Sequence, residues 1–264
     1  MKDFTAITET PGSGLNQEQM ARITQRYHLG AALAQGKDVL EVACGAGIGL
    51  GVLQQAARSL VGCDYTLPVL QMARAHYGSR VPLVGADAQQ LPFADQSFDL
   101  VLSFEAIYYL NRLDWFLREA HRTLRREGNL LICTSNPGWP HFVAGQMSVH
   151  YPSLPEIAEQ LSSAGFQQVQ AYGALPIQGE SWRRSVITAL RKQVLQQEFF
   201  SIPPTIIHRF TRLVYGQLTP LPAALPFPSP PTIHHAYCGL TALAPHETDQ
   251  IHRVLFLVAS KPVA

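Results

Sequence analysis

Three carboxylates recur at intervals in the first ninety residues, each in or just after a short apolar run. Glu41 lies in Val39-Leu40-Glu41-Val42-Ala43, Asp64 follows Ser59–Cys63, and Asp87 follows Val81–Val84. An ionised carboxylate only accepts hydrogen bonds, so such a series suits a ligand rich in donors. A free amino group would match Glu41, a pair of ribose hydroxyls Asp64, and an adenine amino group Asp87. Between the first two acids runs Cys44-Gly45-Ala46-Gly47-Ile48-Gly49, a glycine turn opening into a helical stretch. Glycine lets a backbone bend tightly and approach a ligand, and the helix behind it presents free N–H groups. The dinucleotide fingerprint Gly-x-Gly-x-x-Gly is not met: from Gly45 its third place falls on Leu50, from Gly47 on Val52. Each acid also has a structural alternative, Glu41 as a paired acid, Asp64 in a turn and Asp87 as a cap.

The surrounding pattern predicts the elements that must hold these groups. The apolar runs, joined by Phe98–Ser103 and Asn129–Thr134, read as buried parallel strands. Helical stretches separate them at Asn16–Leu33, Gly49–Arg58, Leu67–His76 and Asp114–Arg126, the last stopping at Gly128 as at a C-terminal cap. This alternation argues for a doubly wound α/β sheet. A helix at Pro152–Gly165 leads to a strand at Gln167–Tyr172, and His252–Ser260 forms the last strand. Residues 1–14 read as a flexible lead-in, and four cysteines without a CxxC pair as buried, reduced thiols. From 176 to 249 the alternation lapses; helices are expected at 181–199 and 205–218, and Thr219–Pro231 holds six of the chain's 19 prolines. So long a connection reads as a cap. The division is thus 1–36 as lead-in and helix, 37–175 with 250–264 as the ligand-binding domain, and 176–249 as inserted cap.

In this order and spacing, Glu41-x-x-x-Gly45-x-Gly47, Asp64, Gly85-Ala86-Asp87-Ala88 and Leu91–Asp99 resemble the class I S-adenosylmethionine-dependent methyltransferases, closest to the branch that includes ubiquinone and menaquinone methyltransferases. The resemblance implies a seven-stranded sheet in order 3-2-1-4-5-7-6, strand seven antiparallel, here with a helical cap inserted before the last strand. It implies S-adenosylmethionine as cofactor: Glu41 toward the methionine amino group, Gly45 and Gly47 under the methionyl part, Asp64 at the ribose, Asp87 and Ala88 at the adenine, Phe104 facing the methyl donor, with Tyr65 also among the cofactor-binding residues. The common motif has Asp where Glu41 stands and often Gly where Ala43 stands.

The acceptor side is expected above the next strand ends. Glu105 and Tyr108 are close enough to contact substrate. His141 and His150, in the aromatic loop after Thr134, are the best candidates for a general base, because imidazole titrates near neutrality. The reading is an enzyme that methylates a small organic acceptor, at oxygen before nitrogen or carbon. The alternatives are a non-catalytic S-adenosylmethionine-binding relative and a nicotinamide-dependent oxidoreductase. Lys+Arg at 20 against Asp+Glu at 19, a net charge of +1, provides no field for a phosphate backbone, so nucleic acid is not expected as a partner. No apolar run reaches the roughly 20 residues that span a bilayer, and the start of the chain lacks signal-peptide features, so a cytoplasmic location is expected. No metal is expected; His234-His235 has no third ligand at useful spacing.

Overall fold

A computed structural model describes residues 3–140, 142–177, 218–226 and 233–263. The helix predicted at 181–199 lies outside these residues, as do His141 and all but the last residue of the helix predicted at 205–218.

A two-residue strand, β1 (Gly14–Leu15), leads into helix α1 (Gln17–Ala34). The Asn16 side chain accepts from Gln19 N while the Gln19 side chain takes the Asn16 N–H, a reciprocal cap that fixes where α1 starts. Then follow β2 (Asp38–Val42), α2 (Leu50–Ala56), β3 (Ser59–Asp64), α3 (Leu67–Tyr77), β4 (Leu83–Gly85), β5 (Phe98–Phe104), α4 (Leu113–Thr123), β6 (Leu124–Ser135), α5 (Leu154–Ser163) and β7 (Gln167–Pro176). The chain closes with β8 (Thr219–Pro220), a short turn of helix at Ile233–Ala236, β9 (Thr241–Leu243) and β10 (His252–Ser260).

The main sheet runs β4-β3-β2-β5-β6-β10-β7-β9. Without β9 its seven strands have the relative order 3-2-1-4-5-7-6, and β10 is antiparallel to both β6 and β7, as the sequence led one to expect. The eighth strand is a departure: β9, from the inserted region, pairs antiparallel with the edge of β7. Strand residues alternate between two apolar layers. Val39, Leu102, Phe104, Cys133 and Phe256 pack beneath α1–α3, while Leu40, Val42, Val101, Ile132 and Leu255 pack beneath α4 and α5. A strand buried on both faces has no polar side to show, which explains the unbroken apolar runs.

Three expectations are corrected. The helix placed at Asp114–Arg126 ends at Thr123, and Gly128 lies inside β6 rather than at a cap. The Lys261 ammonium takes over the capping, donating to the carbonyls of His121 (2.7 Å) and Leu124 (2.8 Å). Residues 3–15 are not a loose lead-in but a packed strap: β1 pairs with β8, Gly12 N donates to Leu221 O, and Leu221 N to Ser13 O. Of the four cysteines, Cys44, Cys63 and Cys133 are free and buried, whereas Cys238 is exposed. Among the described residues no helix is long and apolar enough to cross a membrane, and no group of metal-ligating side chains assembles.

Candidate functional site

The carboxyl ends of β2, β3, β4 and β5 open onto a cavity of about 350 Å³. It lies where β2 is flanked by β3 on one side and β5 on the other, the place in an open α/β sheet where successive connections diverge and leave a crevice. Its walls include Ala43–Ala46, Asp64–Thr66, Ala86–Gln89 and Phe104–Ala106, with Gln19, Arg22, Arg26 and Tyr27 from α1 and Phe4, Ile7, Thr8 and Glu9 from the strap.

The glycine turn is built by what it must avoid and by what ties it down. Gly45 has φ +57°, and a Cβ there would approach the Thr8 methyl to 3.0 Å. Ala43, one of the few non-glycine residues in the left-handed region (φ +61°), precedes it. At Gly49 a Cβ would fall 2.0 Å from the Tyr27 ring. From behind, the Tyr77 hydroxyl donates to Gly47 O (2.7 Å) and accepts from Gly51 N (3.0 Å).

Asp64 serves the same turn. Its Oδ2 accepts from Gly45 N (2.8 Å) and its Oδ1 from Thr66 N (2.7 Å), so the acid locks two loops together while lining the cavity. Burial raises its pKa against the pull of those two amides. Asp87 accepts from Gln89 N (2.8 Å), in the manner of an Asx turn, and also lines the cavity, with Ala88. The structural and ligand-facing readings of these acids are therefore compatible: each carboxylate has lone pairs beyond those its amides use.

Glu41 sits just beneath the cavity wall, fully buried. Its Oε1 accepts from the Tyr27 hydroxyl (2.7 Å), and its Oε2 has no partner among the described residues. Burial pushes its carboxyl up to about 7 despite the opposing pull of Tyr27 and Arg26. A half-satisfied acid in this position calls for a donor from elsewhere. Gly47 is set behind the wall, where a Cβ would meet Leu50, Ala73 and Tyr77.

On the other side, past β5, Glu105 adopts a left-handed backbone (φ +52°) and accepts from the hydroxyls of Tyr108 and Ser135, both at 2.9 Å. Tyr108 stacks on Tyr151 (4.2 Å between centroids), and Phe4 packs against Tyr109 (5.4 Å) and edge-on to Tyr65 (6.4 Å). Phe104 lines the cavity with its ring edge-on to Tyr27 (5.1 Å). Strained, polar and aromatic groups thus converge on one rim.

Of the residues expected from sequence, the structure brings Gly45, Asp64, Tyr65, Asp87, Ala88, Phe104, Glu105 and Tyr108 to the cavity wall and sets Glu41 and Gly47 directly behind it. His150 is placed elsewhere: its side chain is 61% exposed and faces Glu156 at 3.3 Å. Sequence reasoning overlooked Arg26, Tyr27, Tyr77, Ser135 and the strap. Tyr27 was visible only as one of several apolar-face residues of α1; what ties it to Glu41 is a contact across 14 positions.

Comparison with known proteins bears on the domain and the fold. Residues 40–132 match the family model described as a methyltransferase domain. A fatty-acid O-methyltransferase of Mycolicibacterium smegmatis is 38% identical over 118 residues, 43% of this chain and 43% of that protein. A demethylmenaquinone methyltransferase of Corynebacterium kroppenstedtii is 32% identical over 129 residues, 48% of this chain and 55% of the relative. The chain therefore spans about half the length of the curated relatives it matches. The fold is shared with the crystal structure of an S-adenosylmethionine-dependent methyltransferase from Archaeoglobus fulgidus (TM-score 0.56, 14% identity), over 93% of this chain and 95% of that one.

Proposed function

As a chain whose residues 40–132 form a methyltransferase domain of the class I S-adenosylmethionine-dependent family, the protein is, we propose, an enzyme that moves a methyl group from that cofactor to a small organic acceptor, at a hydroxyl or carboxyl oxygen. The observation that carries this reading is the joining of two chemistries in one cavity. Gly45, Asp64 and Asp87 line the cavity together with Glu105 and Tyr108, and Ser135 donates to Glu105 from outside the lining.

The residues present fit the cofactor. Glu41 has a buried acceptor oxygen unmatched among the described residues and suited to an ammonium group, and Gly45, where a Cβ would come within 3.0 Å of the Thr8 methyl, presents bare backbone at the cavity wall. When bound, S-adenosylmethionine supplies an electrophilic methyl on a sulfonium, so most of the remaining work is alignment, to which effective molarity contributes roughly 7–11 kcal/mol. Asp64 and Asp87 would hold the nucleoside by their free lone pairs. Glu105, oriented by Tyr108 and Ser135, would accept a proton from an acceptor hydroxyl. His150, exposed and paired with Glu156, is not assigned the base.

Calorimetry with S-adenosylmethionine and S-adenosylhomocysteine tests the cofactor half; no heat at millimolar ligand would sink the proposal. Asp64→Ala should weaken binding at least tenfold, the scale of one hydrogen bond to a charged group. Release of S-adenosylhomocysteine with a metabolite extract tests the enzyme half. Binding without product would turn the reading toward a cofactor-binding protein that does not transfer methyl.

A further inference from the structure

The buried wall between α1 and β2 holds unmatched atoms of opposite kind: among the described residues Glu41 Oε2 is an acceptor without a donor, while Arg26 Nε and, one turn earlier on α1, Arg22 Nε are donors without an acceptor. Tyr27 links Glu41 and Arg26: its hydroxyl donates to Glu41, and the Arg26 guanidinium carbon lies 5.4 Å from its ring centroid. Arg26 is itself buried (5% exposed) and lines the cavity. A buried acid and a buried cation flanking one ring complement a zwitterion, the ammonium going to the acid and the carboxylate to the guanidinium.

Arg26 is not idle in the structure as it stands. Its Nη2 donates to a carboxylate oxygen of Glu9, and Glu9 belongs to the strap that also lines the cavity. Glu9 is thus a carboxylate carried on the chain itself, seated on the cation that an amino-acid ligand would need.

The geometry points to Arg26 as the counter-ion of the cofactor's carboxylate and to Glu9 as a built-in competitor for it, displaced when the amino-acid end binds. This rests on the cofactor reading given above. Arg26 would select ligands with an intact carboxylate. Glu9 would set how tightly they are held, and would keep the buried guanidinium paired whenever the site lacks one.

The test is a calorimetric comparison of S-adenosylhomocysteine with its decarboxylated amine, which keeps the nucleoside, sulfur and ammonium. Arg26→Gln should weaken S-adenosylhomocysteine roughly 10- to 100-fold, the range for hydrogen bonds to charged groups, and leave the amine within about twofold. Glu9→Gln should tighten S-adenosylhomocysteine several-fold, leave the amine unchanged, and lower the thermal midpoint of the ligand-free protein. That opposite movement of stability and affinity is one a merely structural ion pair would not give. Should Arg26→Gln fail to fold, Glu9→Gln decides alone. Equal losses for both ligands in Arg26→Gln, unchanged or weakened affinity in Glu9→Gln, or the carboxylate-specific loss appearing instead in Arg22→Gln, would overturn the assignment. Wild-type protein that binds neither nucleoside removes the cofactor reading itself.

Discussion

At the scale of single residues, the site is a set of close approaches that tolerate no extra atom. Gly49 is the sharpest case, because any β-carbon there would occupy the space of the Tyr27 ring. Gly49→Ala should destabilise the fold by about 3 kcal/mol, since the ring must move and take its hydrogen bond from Glu41 with it. Chemical denaturation measures this; a loss under 1 kcal/mol would mean the ring has room to shift. Glu41 carries a pH signature. Its carboxyl is raised by burial from its ordinary range to about 7, so its protonated form is the one the fold favours. The contribution is complete below the unfolded value near 4.5 and disappears as pH rises toward 7, amounting to about 3 kcal/mol. The ligand-free protein should therefore lose thermal stability relative to Glu41→Gln between pH 5 and 7.5. Parallel curves for the two proteins would contradict this.

At the scale of elements, the sequence disclosed the parallel strands and most helices, because burial on both sheet faces writes itself as apolar runs. It hid what depends on partners far along the chain. Leu124–Gly128 reads as the end of a helix because Arg125, Arg126 and Glu127 suit one. Yet Arg125 Nη1 donates to Asp38 Oδ2 and Asp99 Oδ1, both at 2.8 Å, which draws the segment into the sheet. Hydrogen bonds from Arg58, the largest cause, then from Ser59 and Arg125 hold the Asp38 carboxyl well below the usual range. The strap was illegible for the same reason, since its glycine-containing sequence is held by β8 some 200 positions on and by contacts of Glu9 with Arg26 and of Phe4 with Tyr65 and Tyr109. Tyr77, the last residue of α3, is likewise silent in sequence and yet ties the glycine turn from behind. Tyr77→Phe should cost about 1–2 kcal/mol of stability, the worth of its two backbone contacts. It should also weaken nucleoside binding several-fold, which calorimetry reads. Unchanged affinity would show that the turn keeps its shape without the hydroxyl.

At the scale of the whole molecule, one element decides whether the sheet is continuous. β10 lies between β6 and β7, pairing with both along most of its length, and the residue after it caps α4. Its Ser260 hydroxyl bonds Asn129 across 131 positions. Alanine at Leu255 and Phe256 together, one on each apolar layer, should cost more than 5 kcal/mol and leave little folded protein. A cooperative melt close to that of the wild type would show that the sheet closes without them. The same placement bears on how the chain is made. During vectorial synthesis β6 and β7 leave the ribosome with a strand-wide gap between them, and at roughly 5–20 residues per second the filling strand follows several seconds later. For that interval the facing edges of β6 and β7 lack their partner, and the sheet becomes continuous only once β10 has emerged.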